Sequence, residues 1–262
     1  MIRGAVADTG IAYRVDGPAD APVVVFINSL GTDHRMWDPQ LSAFSERFRV
    51  VRYDSCGHGA SVLRPGAVTI DVLGRDLVLL LDNLAIECAH LCGCSLGGVI
   101  TLWTATHYPA RVNRAVVANS GAKVGTAEGW DARIAAVRRG GMAAMREPTL
   151  GRFFSERFRS DHAGETQRIA ETLDAVDPEG YIAACQALRD ADLRPSVSSI
   201  QVPTLIVAGA LDVATPPRLQ EELHAAIPAS QLLVIAEAAH LSNIEQPDVF
   251  NERVLAFLEA SA

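Results

Sequence analysis

The stretch "LCGCSLGGVI", residues 91–100, decides how the rest of this chain is read. It holds two cysteines, one serine and three glycines. Cys92 and Cys94 suggest a redox or metal pair, and Ser95 suggests a hydrolase nucleophile. The run also fits an inert buried strand entering a helix. The flanks favour the serine. "AHLCGCS" (89–95) is a short apolar run, and "LGGVITLWTATHY" (96–108) has a helical pattern. Gly93-Cys94-Ser95-Leu96-Gly97 is then a G-x-S-x-G motif between strand and helix, where a serine is held on a tight turn with a strained backbone. Residues two positions away must be small, which Gly93 and Gly97 satisfy. Gly98 lets the helix lie close to the sheet, and the helix N-terminus points free N–H groups at the reacting centre.

Similar apolar runs recur along the chain. "VVVFINSL" (23–30), "FRVVRYD" (48–54), "VNRAVVANS" (112–120), "TLIVAGA" (204–210) and "QLLVIA" (231–236) read as strands buried on both faces. Helical patterns lie between them. "DVLGRDLVLLLDNL" (71–84) puts Leu73, Leu77, Leu80, Leu81 and Leu84 on one side, and "RLQEELHAAI" (218–227) and "VFNERVLAFLEA" (249–260) are similar. Strand alternating with helix predicts an α/β fold with a mostly parallel sheet covered on both faces. Segments 2–7 and 11–16 read as an antiparallel hairpin at one edge, which makes eight strands. The rhythm breaks between Gly121 and Pro195, where patterns such as "WDARIAAVRRGGMAAM" are helical and no strand is convincing. This predicts a core of residues 1–120 and 196–262 with a helical cap, 121–195, inserted between strands as part of one compact unit.

A serine hydroxyl needs a base, and the base needs an acid that fixes its tautomer. In this architecture the chain order is Ser, acid, His. Asp212 follows one strand in "GALDVATPP", and His240 follows the next in "EAAHLSNIEQP". Both fall where strands end, on the side where α/β sheets bind ligands. The other place for an acid, after strand 112–120, offers Asn119 and Ser120 but no carboxylate. The tetrahedral intermediate needs two backbone donors, expected from Leu96 and from Leu30 in the loop before Gly31. Asp54, in "YDSCGHGAS", is a rival acid that reads better as a partner of turn amides. His58 reads as a loop-shaping residue and His224 as solvated. Cys88, Cys92 and Cys94 lack matching zinc-ligand spacing and read as small hydrophobes. No metal is expected.

Composition narrows the partners. The chain of 262 residues is 49% hydrophobic with a formal net charge of −8, which argues against nucleic-acid binding. An anionic substrate would need a local cation to overcome that field. No segment reads as a signal peptide or a membrane span, so a cytoplasmic location is expected, with the five cysteines reduced.

With Ser95, Asp212 and His240 in place, the chain resembles the α/β-hydrolases from end to end, and more narrowly the 3-oxoadipate enol-lactonases. "NSLGTDHRMWDPQ" (28–40), "GTAEGWDARIAAVR" (125–138), "DPEGYIAACQALRDADLR" (177–194), "VPTLIVAGALDVATPP" (202–217) and "AAHLSNIEQPD" (238–248) carry that resemblance. Two of these lie in the expected cap. The loop usually written Y-D-T-R-G-H-G departs from the pattern, because Cys56 stands where a cation is usual. The elbow, usually C-G-L-S-M-G-G, has Cys94 and Leu96 beside the serine. The resemblance implies a small anionic lactone bearing a carboxymethyl group, hydrolysed to 3-oxoadipate in aromatic catabolism without cofactor. Arg133, beside Trp130 in "EGWDAR", is the first candidate for the substrate carboxylate, with Trp130 lining the pocket. Some relatives are fused to a decarboxylase domain, and this chain, ending at its last helix, reads as the stand-alone form. The alternative is a carboxylesterase, or another hydrolase of this scaffold acting on a different ester, lactone or thioester.

Overall fold

Eight strands form one sheet in the order β1-β2-β4-β3-β5-β6-β7-β8 in the computed structural model, which describes residues 2–228 and 230–260. The strands are β1 (Ile2–Ala5), β2 (Ala12–Asp16), β3 (Val23–Ile27), β4 (Arg49–Tyr53), β5 (Ala89–Cys94), β6 (Val112–Ala118), β7 (Thr204–Gly209) and β8 (Ser230–Ile235). β1 and β2 are the expected antiparallel edge hairpin, and every pairing from β4 to β8 is parallel. Around the sheet lie α1 (Asp38–Ser45), α2 (Ile70–Asn83) and α3 (Leu96–His107). Five helices separate β6 from β7: α4 (Ala127–Gly140), α5 (Arg146–Phe153), α6 (Glu156–Asp161), α7 (Ala163–Asp174) and α8 (Pro178–Asp190). The chain closes through α9 (Pro217–Ala226), α10 (Ser242–Glu245) and α11 (Pro247–Glu259).

The period-2 geometry of a strand sends successive side chains to opposite faces. Val25 and Ile27 of β3 accordingly join one core cluster with Leu77, Leu91 and Ile100. Val24 and Phe26 join the other with Trp37, Phe44 and Phe250. Cys92 and Cys94 belong to this second cluster, which answers the cysteine question locally: they fill space on one face of β5. Burial pushes both thiols far above their ordinary range. The helical insertion is packed into both clusters, through Trp130, Ile134 and Tyr181 on one side and Leu150, Phe153 and Phe158 on the other. Truncating an aromatic side chain so buried costs about 3–5 kcal/mol. No described helix is long and apolar enough to cross a membrane.

Cys56 is buried, with its Sγ 3.5 Å from Val62 O. The Arg64 guanidinium lies against its thiol and reaches the buried Asp76 carboxylate through Nη2 at 2.5 and 2.6 Å.

Candidate active site

The loops leaving the carboxyl ends of β3, β5, β6, β7 and β8 carry Leu30, Ser95, Asn119, Asp212 and His240. Ser95 adopts φ 55°, ψ −112°, a left-handed conformation that costs a non-glycine residue about 1–3 kcal/mol. A serine at a helix N-terminus ordinarily caps it with its hydroxyl. This one makes no cap bond, so the strained turn frees the hydroxyl for the cavity it lines. The turn is held by Ser95 N–H donating to Ala118 O (2.9 Å) and Ser120 Oγ donating to Ser95 O (2.7 Å). Gly93 and Gly97 are required by close approach rather than by their own backbone angles. A Cβ on Gly93 would stand 2.0 Å from Gly97 O, and one on Gly97 2.1 Å from Ile27 O.

Asp212 and His240 are brought together as the sequence suggested, with His240 Nδ1 2.8 Å from Asp212 Oδ2. The carboxylate has no idle oxygen. Oδ1 accepts from Ala214 N (2.8 Å) and Thr215 N (2.9 Å), and Oδ2 also accepts from Thr215 Oγ1 (2.7 Å) and Asn119 Nδ2 (3.0 Å). Burial alone would raise the Asp212 pKa, but His240, the Thr215 amide and Asn119 outweigh it and hold the carboxyl below its ordinary value. An ionised Asp212 fixes the proton on His240 Nδ1 and leaves Nε2 free to accept one. The Phe153 ring stacks on the imidazole at 5.8 Å.

Ser95 and His240 share a cavity of about 180 Å³. Ser29 and Leu30 line its core wall beside Ser95. Among the described residues, neither the Leu30 nor the Leu96 amide donates to a protein acceptor. Ser29 Oγ, also on this wall, is buried without a hydrogen-bond partner among them. The insertion supplies the opposite wall. Trp130 lines it, anchored by Nε1 donating to Val124 O (2.8 Å), and Arg133 lies over the indole at 4.6 Å. Arg152 lies beside them, with one long bond from Nη2 to Thr149 Oγ1 (3.3 Å). Burial, and then the charge of Arg133, lower the Arg152 pKa to about 10, which leaves it cationic at neutral pH. No carboxylate lines the cavity, and neither arginine has an ion-pair partner among the described residues.

The rival residues lie elsewhere. Asp54 accepts from His34 N (2.7 Å), His34 Nδ1 (3.0 Å) and Ala60 N (3.0 Å), the turn-amide role expected of it. His58 is buried against Cys56 O and does not line the cavity, and exposed His224 meets Ser230 Oγ. Four residues at the cavity and around Asp212 and His240 are not evident from the sequence. Asn119 stands in the sequence where a carboxylate is absent, and its role as a donor to Asp212 has no motif. Thr215, three residues after Asp212, had an Asp-turn signal in "DVATPP". Arg152 and Phe153, in "GRFF", carry no motif and depend on how α5 packs.

Residues 22–247 match the family model described as alpha/beta hydrolase fold. The chain is 42% identical over 250 residues to 3-oxoadipate enol-lactonase 1 of Acinetobacter baylyi, covering 95% of this chain and 93% of that protein. It is 40% identical over 252 residues to 3-oxoadipate enol-lactonase 2 of the same organism, covering 96% and 94%. The crystal structure of the enol-lactonase from Burkholderia xenovorans LB400 superimposes with a TM-score of 0.96 at 38% identity, covering 99% of this chain and 100% of that one. Fold and similarity agree: the chain belongs to the 3-oxoadipate enol-lactonase family of α/β-hydrolases.

Proposed function

We propose that this protein hydrolyses 3-oxoadipate enol-lactone to 3-oxoadipate with Ser95 as nucleophile, His240 as base and Asp212 as its orienting acid. One observation carries the reading to this substrate class. The cavity that holds Ser95 and His240 has two arginines and no carboxylate on its insertion wall. A chain of net charge −8 repels an anionic substrate at long range, so a local pair of cations is what such a substrate needs. Arg133 and Arg152 bind the carboxymethyl carboxylate, and Trp130 packs on the ring. Residues 121–195 act as the cap, set on a core of 1–120 and 196–262.

The chemistry follows in two steps. His240 Nε2 takes the Ser95 proton as Oγ attacks the lactone carbonyl. The Leu30 and Leu96 amides hold the oxyanion. Collapse breaks the ring C–O bond, His240 returns the proton to the departing enolate, and the resulting enol tautomerises to the 3-oxo group. His240 then activates a water that releases the acyl group from Ser95, so one lactone and one water give one 3-oxoadipate. No step calls on a metal or cofactor.

Loss of enol-lactone absorbance with the purified protein is the test, beside simple neutral esters. Turnover by wild type and none by Ser95→Ala supports the reading. Turnover of neutral esters alone would replace it with a carboxylesterase reading.

A further inference from the structure

Glu245 ends α10, five residues after His240, and is buried. Its two oxygens accept from two backbone amides that belong to different parts of the chain. Oε1 takes the Ser155 N–H (2.6 Å), between α5 and α6 of the insertion. Oε2 takes the Ala239 N–H (3.1 Å), directly before His240. The residue directly after His240 is tied to the same place, with Leu241 N–H donating to Phe153 O (3.0 Å). The Phe153 ring then covers the imidazole. His240 is therefore bracketed on both sides and on its face, and each link runs to residues 153–155.

We propose that Glu245 is a positioning residue that clamps the catalytic loop to the insertion, so that His240 meets Ser95 in register only while residues 153–155 are seated. The residue type matters. Two N–H groups converge on two oxygens, and a carboxylate satisfies both. Glutamine turns an NH₂ toward one of them and keeps a single link. Alanine leaves both amides buried without an acceptor. The clamp acts on the base and not on the lactone, so it holds for any ester. A neutral ester therefore tests it independently of the enol-lactone reading.

The experiment compares Glu245→Gln and Glu245→Ala with Gln40→Ala. Gln40 fastens the same short helix through Nε2 donating to Asn243 O (2.9 Å), and its hydrogen bonds run to Asn243 and Asn251 rather than to His240 or residues 153–155. Steady-state kinetics on p-nitrophenyl acetate are read with thermal midpoints and with the rate at which a small fluorophosphonate labels Ser95. The expected result is a kcat lowered about ten- to a hundredfold in Glu245→Ala, with KM within about twofold and labelling slowed in parallel. Glu245→Gln should fall between that variant and wild type. Gln40→Ala should lose thermal stability and keep kcat within about twofold of wild type. Wild-type kcat and labelling in a folded Glu245→Gln would overturn the proposal. So would a Gln40→Ala that loses as much kcat as the Glu245 variants at an equal drop in midpoint, because the glutamate would then be only structural. If Glu245→Ala does not fold, the Glu245→Gln comparison decides alone.

Discussion

The two walls of the cavity are built on opposite plans. On the core wall the Asp212 carboxylate and the Ser95 turn are held by hydrogen bonds: Asp212 alone accepts five, and Ser120 fixes the carbonyl of Ser95. On the insertion wall Arg133 and Arg152 face the same space without a carboxylate between them. Like charges kept together in a partly desolvated site are costly unless a ligand supplies the opposite charge. The core wall thus holds its groups in fixed geometry, whereas the insertion wall leaves two cations unpaired among the described residues, which under the proposed function meet the substrate carboxylate. Changes on the core wall should act on kcat and changes on the insertion wall on KM.

The largest effect expected is from Ser95→Ala, a fall in kcat on the order of 10⁶-fold with folding retained. Asp212→Asn should lose about 10⁴-fold, because the His240 tautomer is no longer fixed. Retention of most activity by either variant, in stopped-flow or steady-state assays, would break the core half of the comparison. Arg152→Ala should raise KM for the anionic lactone about ten- to a hundredfold and barely change a neutral ester, in line with the loss of a charge-assisted hydrogen bond. Equal effects on both substrates would remove Arg152 from substrate binding. Arg133→Ala, whose guanidinium stays stacked on Trp130, should act in the same direction. Asn119→Ala should cost about tenfold in kcat, because Asp212 loses one donor.

The smallest effect concerns stability alone. His90 lies in β5, away from the cavity, where burial and then Arg114 lower its pKa to about 4. The unfolded chain takes up a proton there near pH 6.5, and the folded chain does not until about pH 4. Stability present above pH 6.5 is therefore lost as pH falls toward 4, by about 2 kcal/mol at pH 5. Denaturant unfolding of wild type and His90→Gln from pH 7 to 5 checks this. A variant with the same slope as wild type would assign the acid sensitivity elsewhere.

The core wall was legible because its chemistry sits in short local patterns. Ser95 lies inside a five-residue motif, and Asp212 and His240 follow short apolar runs that read as strands. The sheet was legible for the same reason, although β3 and β6 end at Ile27 and Ala118, before the apolar pattern does, because the chain turns there to build the site. The insertion wall was legible only in part. Trp130 and Arg133 stood out in "EGWDAR", whereas Arg152 reaches the cavity through the packing of α5 on the His240 loop, which leaves no trace in spacing. Glu245 was hidden likewise, since its partners are backbone amides and any residue at 155 or 239 other than proline supplies one.

The division of labour between the two walls is tested most directly by one ratio, kcat/KM for the enol-lactone acid over that for its neutral methyl ester, in wild type and Arg152→Ala. The account predicts a wild-type ratio well above one that falls about ten- to a hundredfold in the variant, with kcat nearly unchanged. A wild-type ratio near one, or an unaltered ratio in the variant, would contradict it.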